Sequence, residues 1–432
     1  MTIVAADHPA VPSVDRYGAP NDRIVALDVI RGIAVMGILV ANLPAFALPG
    51  AAYFSPVAAG GTGPADITIW FANFVLIEGR MRGLFSFLFG ASMLIVADRA
   101  QTAGDDPGSV HLARMVTLFV IGCVHLWLVW WGDILSHYAL VGLIAWPFAR
   151  LSARPLIAFG LAATLVGLAL ATSGLAVLLA AAARDTPGAI ATWNGYAAVF
   201  GTPPAAAIIA ETTAQNGGWP AGVAWRWHHA TSPLTTLLVV GPQTLGAILL
   251  GMAAYRTGFL TGAWSRARYR RWAVRGLGLS LSGYAVLGLL VLHHRFAVPW
   301  VYGASLVGAE PLRMIGAVGY AALILSLVRP GGAWTARIAA TGRTAFSNYL
   351  ATSIVMTGLF GWGFGQFGEW RRATLYLLAP IAWAIMLGWS SPWLRRYRYG
   401  PLEWLWRSLS RGEWQPLRRS PPDRPVAADH IG

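Results

Sequence analysis

The side chains with the most chemistry to offer lie in one short stretch. Gly122-Cys123-Val124-His125-Leu126-Trp127 is followed by Trp130-Trp131-Gly132-Asp133 and then by His137-Tyr138. Histidine ordinarily titrates near neutrality, so His125 could take a proton from a hydroxyl or an amine as a general base. Asp133 could orient that base or balance its charge. Two helical turns separate the two, so within one continuous helix they cannot touch. A turn at Gly132 or a wet cavity has to bring their partners together. A histidine deep in an apolar run is also commonly no more than a hydrogen-bonded core residue.

Three other polar sets sit in apolar surroundings. Asp28 and Arg31, three residues apart, can pair on one helical face. Gly32 and Gly37 beside them leave room for a close helix or ligand. Glu78 and Arg82 stand four apart with Arg80 turned elsewhere, and this set could hold an anionic group such as phosphate or carboxylate, or form a structural salt bridge. Arg343, Ser347, Asn348 and Tyr349 open a late apolar run, where interhelical hydrogen bonding is the simpler reading. Cys123, the one cysteine, leaves no internal disulfide or cysteine-based zinc site. His228-His229 and His293-His294 lack nearby cysteine or regular acidic ligands, so no metal is expected. No Walker motif, phosphate-binding glycine loop or Gly-x-Ser-x-Gly elbow occurs in a suitable context, which argues against ATP-driven transport by this chain alone.

The elements that must position these residues are membrane helices. Only 12% of the 432 residues are charged, against roughly a quarter in soluble domains, so the solvent for most of the surface is lipid. Apolar runs of spanning length occur at residues 24–48, 111–131, 134–150, 155–183, 234–255, 272–292, 312–328, 343–362 and 374–393. Residues 66–97 are too long for one straight span and carry Glu78, Arg80 and Arg82, which suits a re-entrant or broken helix lining a cavity. The formal charge of +14 lies between apolar runs, where arginines set topology and meet anionic lipid, so no nucleic-acid partner is expected.

The crowded connection of Arg256, Arg266, Arg268, Arg270, Arg271 and Arg275 should be cytoplasmic. Residues 184–233, 295–310 and 363–372 then lie outside. Asp28 and Arg31 within the first turns of the first run argue against a cleaved signal peptide.

The expectation is an all-α polytopic transmembrane bundle of about ten spans with both termini cytoplasmic. It divides into a polar tail over 1–23, a helical domain over 24–394, and an interfacial helix with a disordered tail over 395–432. In the last part Leu402, Leu405, Trp406 and Leu409 share a face, Glu403 and Arg407 form an i,i+4 pair, and residues 411–432 are expected to be disordered.

Five motifs, in order, resemble the YeiB-like bacterial membrane proteins, whose shared domain is one of unknown function. They are Leu27-Asp28-Val29-Ile30-Arg31-Gly32 with its apolar continuation to Asn42, Glu78-Gly79-Arg80-Met81-Arg82 with its continuation to Gly90, and Gly132-Asp133 through His137-Tyr138 to Gly142 with His125 upstream. Gly342-Arg343-Thr344-Ala345-Phe346-Ser347-Asn348-Tyr349-Leu350 and Gly400-Pro401-Leu402-Glu403-Trp404-Leu405-Trp406-Arg407 complete the set. The resemblance implies a multi-pass protein of the bacterial cytoplasmic (inner) membrane. The opening pattern is also distantly similar to membrane acyltransferases of the heparan glucosaminide acetyltransferase type.

That analogy implies transfer of an acyl group from a cytoplasmic donor, acyl-coenzyme A, to an extracytoplasmic acceptor, with no tightly bound cofactor. Arg31 and Arg343 would meet the donor's phosphates, and His125 with Asp133 would be catalytic. Asp28, Glu78, Arg80, Arg82, His137 and Asn348 would line the substrate path. The competing expectation is a carrier or flippase for a small anion, peptide or lipid precursor, which the broken second element fits equally well and the absence of an internal repeat weakens.

Overall fold

The computed structural model describes residues 20–419. Residues 1–19 of the expected polar tail and 420–432 of the expected disordered tail lie outside the described residues. Residues 20–23 already belong to the first helix.

The chain runs through α1 (Pro20–Ala47), α2 (Pro64–Leu76), α3 (Arg80–Ala103), α4 (Pro107–Val124), α5 (Leu135–Ala145) and α6 (Ala153–Ala182). Then come α7 (Pro187–Phe200), α8 (Ala205–Asn216), α9 (Trp219–His229), α10 (Pro233–Arg256), α11 (Arg266–His293) and α12 (Val298–Tyr302). The last third holds α13 (Ala309–Leu327), α14 (Ala333–Arg343), α15 (Ala345–Phe360), α16 (Arg372–Leu375), α17 (Leu378–Arg396) and α18 (Pro401–Arg411).

Among the described residues the only extended pairing is one isolated bridge between Tyr397 and Arg418. The protein is an all-α polytopic bundle. Several helices begin at a proline, where the missing N–H costs no helical hydrogen bond, and Asp106, Thr186, Ser232 and Ser265 cap the starts of α4, α7, α10 and α11.

Among the described residues eight stretches are long and apolar enough to cross a membrane, one of them the pair α2–α3. α5 and α15, with 11 and 16 residues, stand where the other two expected spans were placed. Leu165, Leu238, Val274 and Ile385 are all more than 60% exposed, as a surface solvated by lipid requires.

Helices approach closely through glycine. A methyl group on Gly90 would strike the Ile248 carbonyl of α10, one on Gly251 the Phe87 carbonyl of α3, and one on Gly342 the Asp28 carbonyl of α1.

The expected broken element is present. Gly79 sits between α2 and α3 at φ +70°, a left-handed conformation that favours glycine. Met81 packs on Gly37, halfway along α1, so the break lies deep in the bundle. Asp66 anchors the start of α2 to the far end of the chain, accepting from Arg371 at 2.6 Å and from the Ala373 N–H at 3.0 Å.

Several local expectations are corrected. The connection over residues 184–233 carries helices of its own, α7–α9, and α8 and α9 form a roof over the end of α4. Glu310, assigned to an outer connection, is buried in the first turn of α13. Arg343 ends α14 instead of opening the next helix, because Thr344 interrupts the run. Glu403 forms no ion pair with Arg407. It caps α15 instead, accepting from the N–H groups of Phe346 and Ser347 at 2.8 and 3.1 Å, because the start of a helix offers unpaired donors. Residues 411–419 fold back on α18, with the Trp404 indole donating to the Gln415 carbonyl and Trp414 stacked on Trp404.

Candidate functional site

The end of α4 does what a regular helix could not. Residues His125–Val129 form a wide π-helical turn, closed by the Trp130 N–H donating to the His125 carbonyl at 2.8 Å. Trp130 is extended and the chain turns at Trp131 and Gly132, returning Asp133 alongside the turn it has just left. Asp133 Oδ1 therefore lies 2.9 Å from His125 Nδ1, with both side chains buried. The contact expected to be indirect is a direct one.

Asp133 also opens α5. Its oxygens accept from the Leu135 and Ser136 N–H groups at 3.1 and 2.8 Å and from the Ser136 hydroxyl at 2.7 Å. A carboxylate serving this many donors acts as an acceptor throughout, so the hydrogen of the His125 contact sits on Nδ1. The other ring nitrogen, Nε2, is buried and has no partner.

The ring of His125 is held between Tyr349, centroids 5.4 Å apart, and Trp130, 6.1 Å away and edge-on. Trp130 is fixed in turn by Phe46 at 4.1 Å and by donating its indole N–H to the Ala45 carbonyl at 3.2 Å.

Two hollows meet at Phe46. One is lined by Val35, Ile38, Asn42, Tyr349 and Met386, and follows one face of α1 upward from the turn after Arg31. The other is lined by Trp130, Trp131, Gln215, Arg226 and Trp362 beneath the roof. The roof is tied to the π turn: Arg226 donates to the Trp127 and Leu128 carbonyls at 3.0 and 3.2 Å, and Trp219 donates to Leu128 at 2.8 Å. Burial pulls the Arg226 guanidinium down to about 10. Glu211 of α8 accepts from the Gly50 N–H at 3.1 Å, and its burial raises its carboxyl above the usual range.

The other expected residues divide into three groups. Arg31 donates to Asp28 at 2.8 Å and to the Ser92 hydroxyl at 3.2 Å, as the spacing implied. Arg343 is exposed, donates to the Arg398 carbonyl at 3.3 Å, and lies within electrostatic reach of Asp28. Asn348 is structural in its contacts, accepting from the Trp389 indole at 2.8 Å and donating to Thr344 at 3.0 Å. His137 is buried against the Thr244 hydroxyl at 2.8 Å and does not join the His125–Asp133 pair.

Glu78 and Arg82 do not pair, because Glu78 lies in the break where helical spacing no longer applies; among the described residues Glu78 has no ion-pair partner. Arg80 is fully buried, donating to the Phe74 and Val75 carbonyls and lying 3.7 Å over the ring of Tyr284. Sequence reading missed Arg313 and Arg372, both buried near this break. An i,i+3 signal was available for Arg313, which pairs with Glu310 at 2.5 Å.

These features define a polytopic helical membrane protein with a buried histidine–carboxylate pair between two hollows. The chain is 31% identical over 405 residues to Uncharacterized protein YeiB of Escherichia coli (strain K12), an alignment covering 90% of this chain and 96% of that protein. It is 28% identical over 434 residues to Uncharacterized protein YxaH of Bacillus subtilis (strain 168), covering 92% of this chain and 97% of that one. Residues 254–413 match the family described as Protein of unknown function (DUF418). The chain belongs to the YeiB-like family of multi-pass membrane proteins. No solved structure matches it.

Proposed function

We propose that this protein is an acyltransferase of the bacterial cytoplasmic membrane, with both chain ends in the cytoplasm, carrying an acyl group from a cytoplasmic acyl-coenzyme A to an extracytoplasmic hydroxyl or amine. The observation that carries the reading is the open, buried Nε2 of His125, set by the 2.9 Å contact of Nδ1 with Asp133. In the reaction, Nε2 accepts the acceptor's proton as its oxygen or nitrogen bonds to the acyl carbon. The thioester C–S bond breaks, and the imidazolium returns the proton to the leaving thiolate. Asp133 holds the ring and offsets the charge it gains.

The two hollows support this assignment. The inner one follows α1 from the region of Arg31, where Asp28 lies within reach of Arg31, Arg343 and Arg99, a setting suited to a donor's phosphates. The outer one, beneath α8 and α9, offers Gln215 and Arg226 to an acceptor.

The test is acyl-coenzyme A binding and consumption by detergent-purified protein. Binding kept but consumption lost in His125→Ala supports the reading; a folded wild type that neither binds nor consumes the donor overturns it. A carrier for a small anion draws support from the broken α2–α3 crossing. Flux of anions into proteoliposomes without acyl-donor consumption favours that alternative.

A further inference from the structure

The break between α2 and α3 gathers more positive charge than its carboxylates can match. Arg80, Arg313 and Arg372 are each at least 94% buried, and Arg82 beside them is half-buried. Glu78 lies within electrostatic reach of all four, and so is their common neighbour. Arg313 is answered by Glu310 at 2.5 Å and by the Gln243 carbonyl oxygen at 2.8 Å. Arg80 and Arg372 have no carboxylate in contact: they donate to main-chain carbonyls, those of Phe74 and Val75 and that of Ala52, and otherwise face the neutral phenols of Tyr320 and Tyr376. Guanidinium groups keep their proton at physiological pH, so this excess cannot be relieved by titration.

The hydrogen-bond inventory gives the same answer independently. Nε and Nη1 of Arg80, Nε and Nη1 of Arg372 and Nε of Arg313 are buried donors that meet no acceptor in good hydrogen-bond geometry, and the side chains they face are neutral phenols, Tyr320 beside Arg80, Tyr284 beside Arg313 and Tyr376 beside Arg372. Buried polar groups are nearly always satisfied, and a cluster of open donors marks a missing acceptor. The donors converge on the break. A methyl group on Gly79 would lie 2.7 Å from Arg313 Nε and 3.2 Å from the Tyr284 hydroxyl. Arg80 stacks on that same tyrosine, and Tyr376 is coupled electrostatically to Arg372 and Glu78.

We propose that the α2–α3 break is a second binding site, distinct from the His125–Asp133 pair, that takes a single oxyanionic group, phosphate or carboxylate, between Arg80, Arg313 and Arg372. Guanidinium and phenol donors are the chemistry that recognises such oxygens. Glu78, with no ion-pair partner, limits the net positive charge and so disfavours a highly charged ligand. The site stands whether or not His125 transfers an acyl group.

The experiment uses the full-length purified protein. One arm measures equilibrium binding of radiolabelled inorganic phosphate, with acetate as competitor and chloride as control. The other compares thermal stability in nanodiscs of phosphatidylglycerol and of phosphatidylcholine, which reports a lipid headgroup as the source of the anion. Saturable phosphate or acetate binding, or stabilisation confined to the anionic lipid, is expected, and should weaken at least tenfold in Arg80→Gln and Arg372→Gln. Arg372→Lys should recover part of it. Tyr284→Phe, which leaves every charge in place, should weaken binding severalfold. A folded wild type indifferent to all of these anions overturns the proposal. So does binding that is unchanged in the folded Tyr284→Phe and Arg372→Gln variants.

Discussion

Replacing Glu403 tests whether the Gly-Pro-Leu-Glu segment is a clamp on α15. Glu403 Oε1 receives the Phe346 and Ser347 N–H groups, and Oε2 receives the Ser347 hydroxyl at 2.5 Å. Glu403→Ala strands two main-chain donors at a covered helix start. Each stranded buried donor costs about 1–3 kcal/mol, so with two of them a destabilisation of roughly 2–6 kcal/mol is expected. Glu403→Gln keeps one carbonyl oxygen in the position of Oε1 and should lose about 1 kcal/mol.

Burial raises the Glu403 carboxyl above its ordinary value, against the opposing pull of Ser347 and Phe346. Between the ordinary and the raised value the folded protein holds more protons than the unfolded one. This group's contribution to stability is therefore greatest below the ordinary carboxylate range and declines as pH rises through that window. Reversible unfolding in mixed micelles, followed by tryptophan fluorescence from pH 4 upward, reads both effects, and the Gln variant should lose this part of the slope. Equal stability of the Ala variant and wild type would refute the clamp.

Asp133→Asn should fold but lower acyl-donor consumption by roughly 10²–10⁴-fold, measured as thiol release, because a neutral amide no longer offsets the charge the His125 ring gains. Gly251→Ala should cost about 1–3 kcal/mol, since its methyl meets the Phe87 carbonyl, whereas Gly278→Ala, with nothing within 4 Å, should be neutral or gain up to about 1 kcal/mol; unfolding of the two side by side checks the contrast. Asn348→Leu strands the Trp389 indole N–H and should lower stability by about 1–3 kcal/mol in the same assay.

The helical class, the broken second element and the Asp28–Arg31 pair were legible in the sequence, because apolar length and i,i+3 spacing act locally. The His125–Asp133 contact was not, since a π turn followed by an extended tryptophan breaks the arithmetic of helical spacing. A signal was nonetheless present: Asp133-Ile134-Leu135-Ser136 has the form of a helix start, which would have ended the preceding helix before Asp133. Glu78 misled for the converse reason, because i,i+4 reasoning was applied across a glycine that stops the helix. Arg372 meets the break only through contacts about 300 residues distant in sequence, which no local pattern encodes. The helices α7–α9 lie in a segment whose short apolar patches fell below spanning length and so read as a connection.

The roof ends the story of α4 in another segment of the chain. The Trp127 and Leu128 carbonyls, which a helix leaves open at its end, find their donors in Arg226 and Trp219, nearly a hundred residues away. Helices α8 and α9 are thus less a detachable cover than the closing turn of the helix that carries the histidine. Excision of the whole roof would unwind the support of His125 from above.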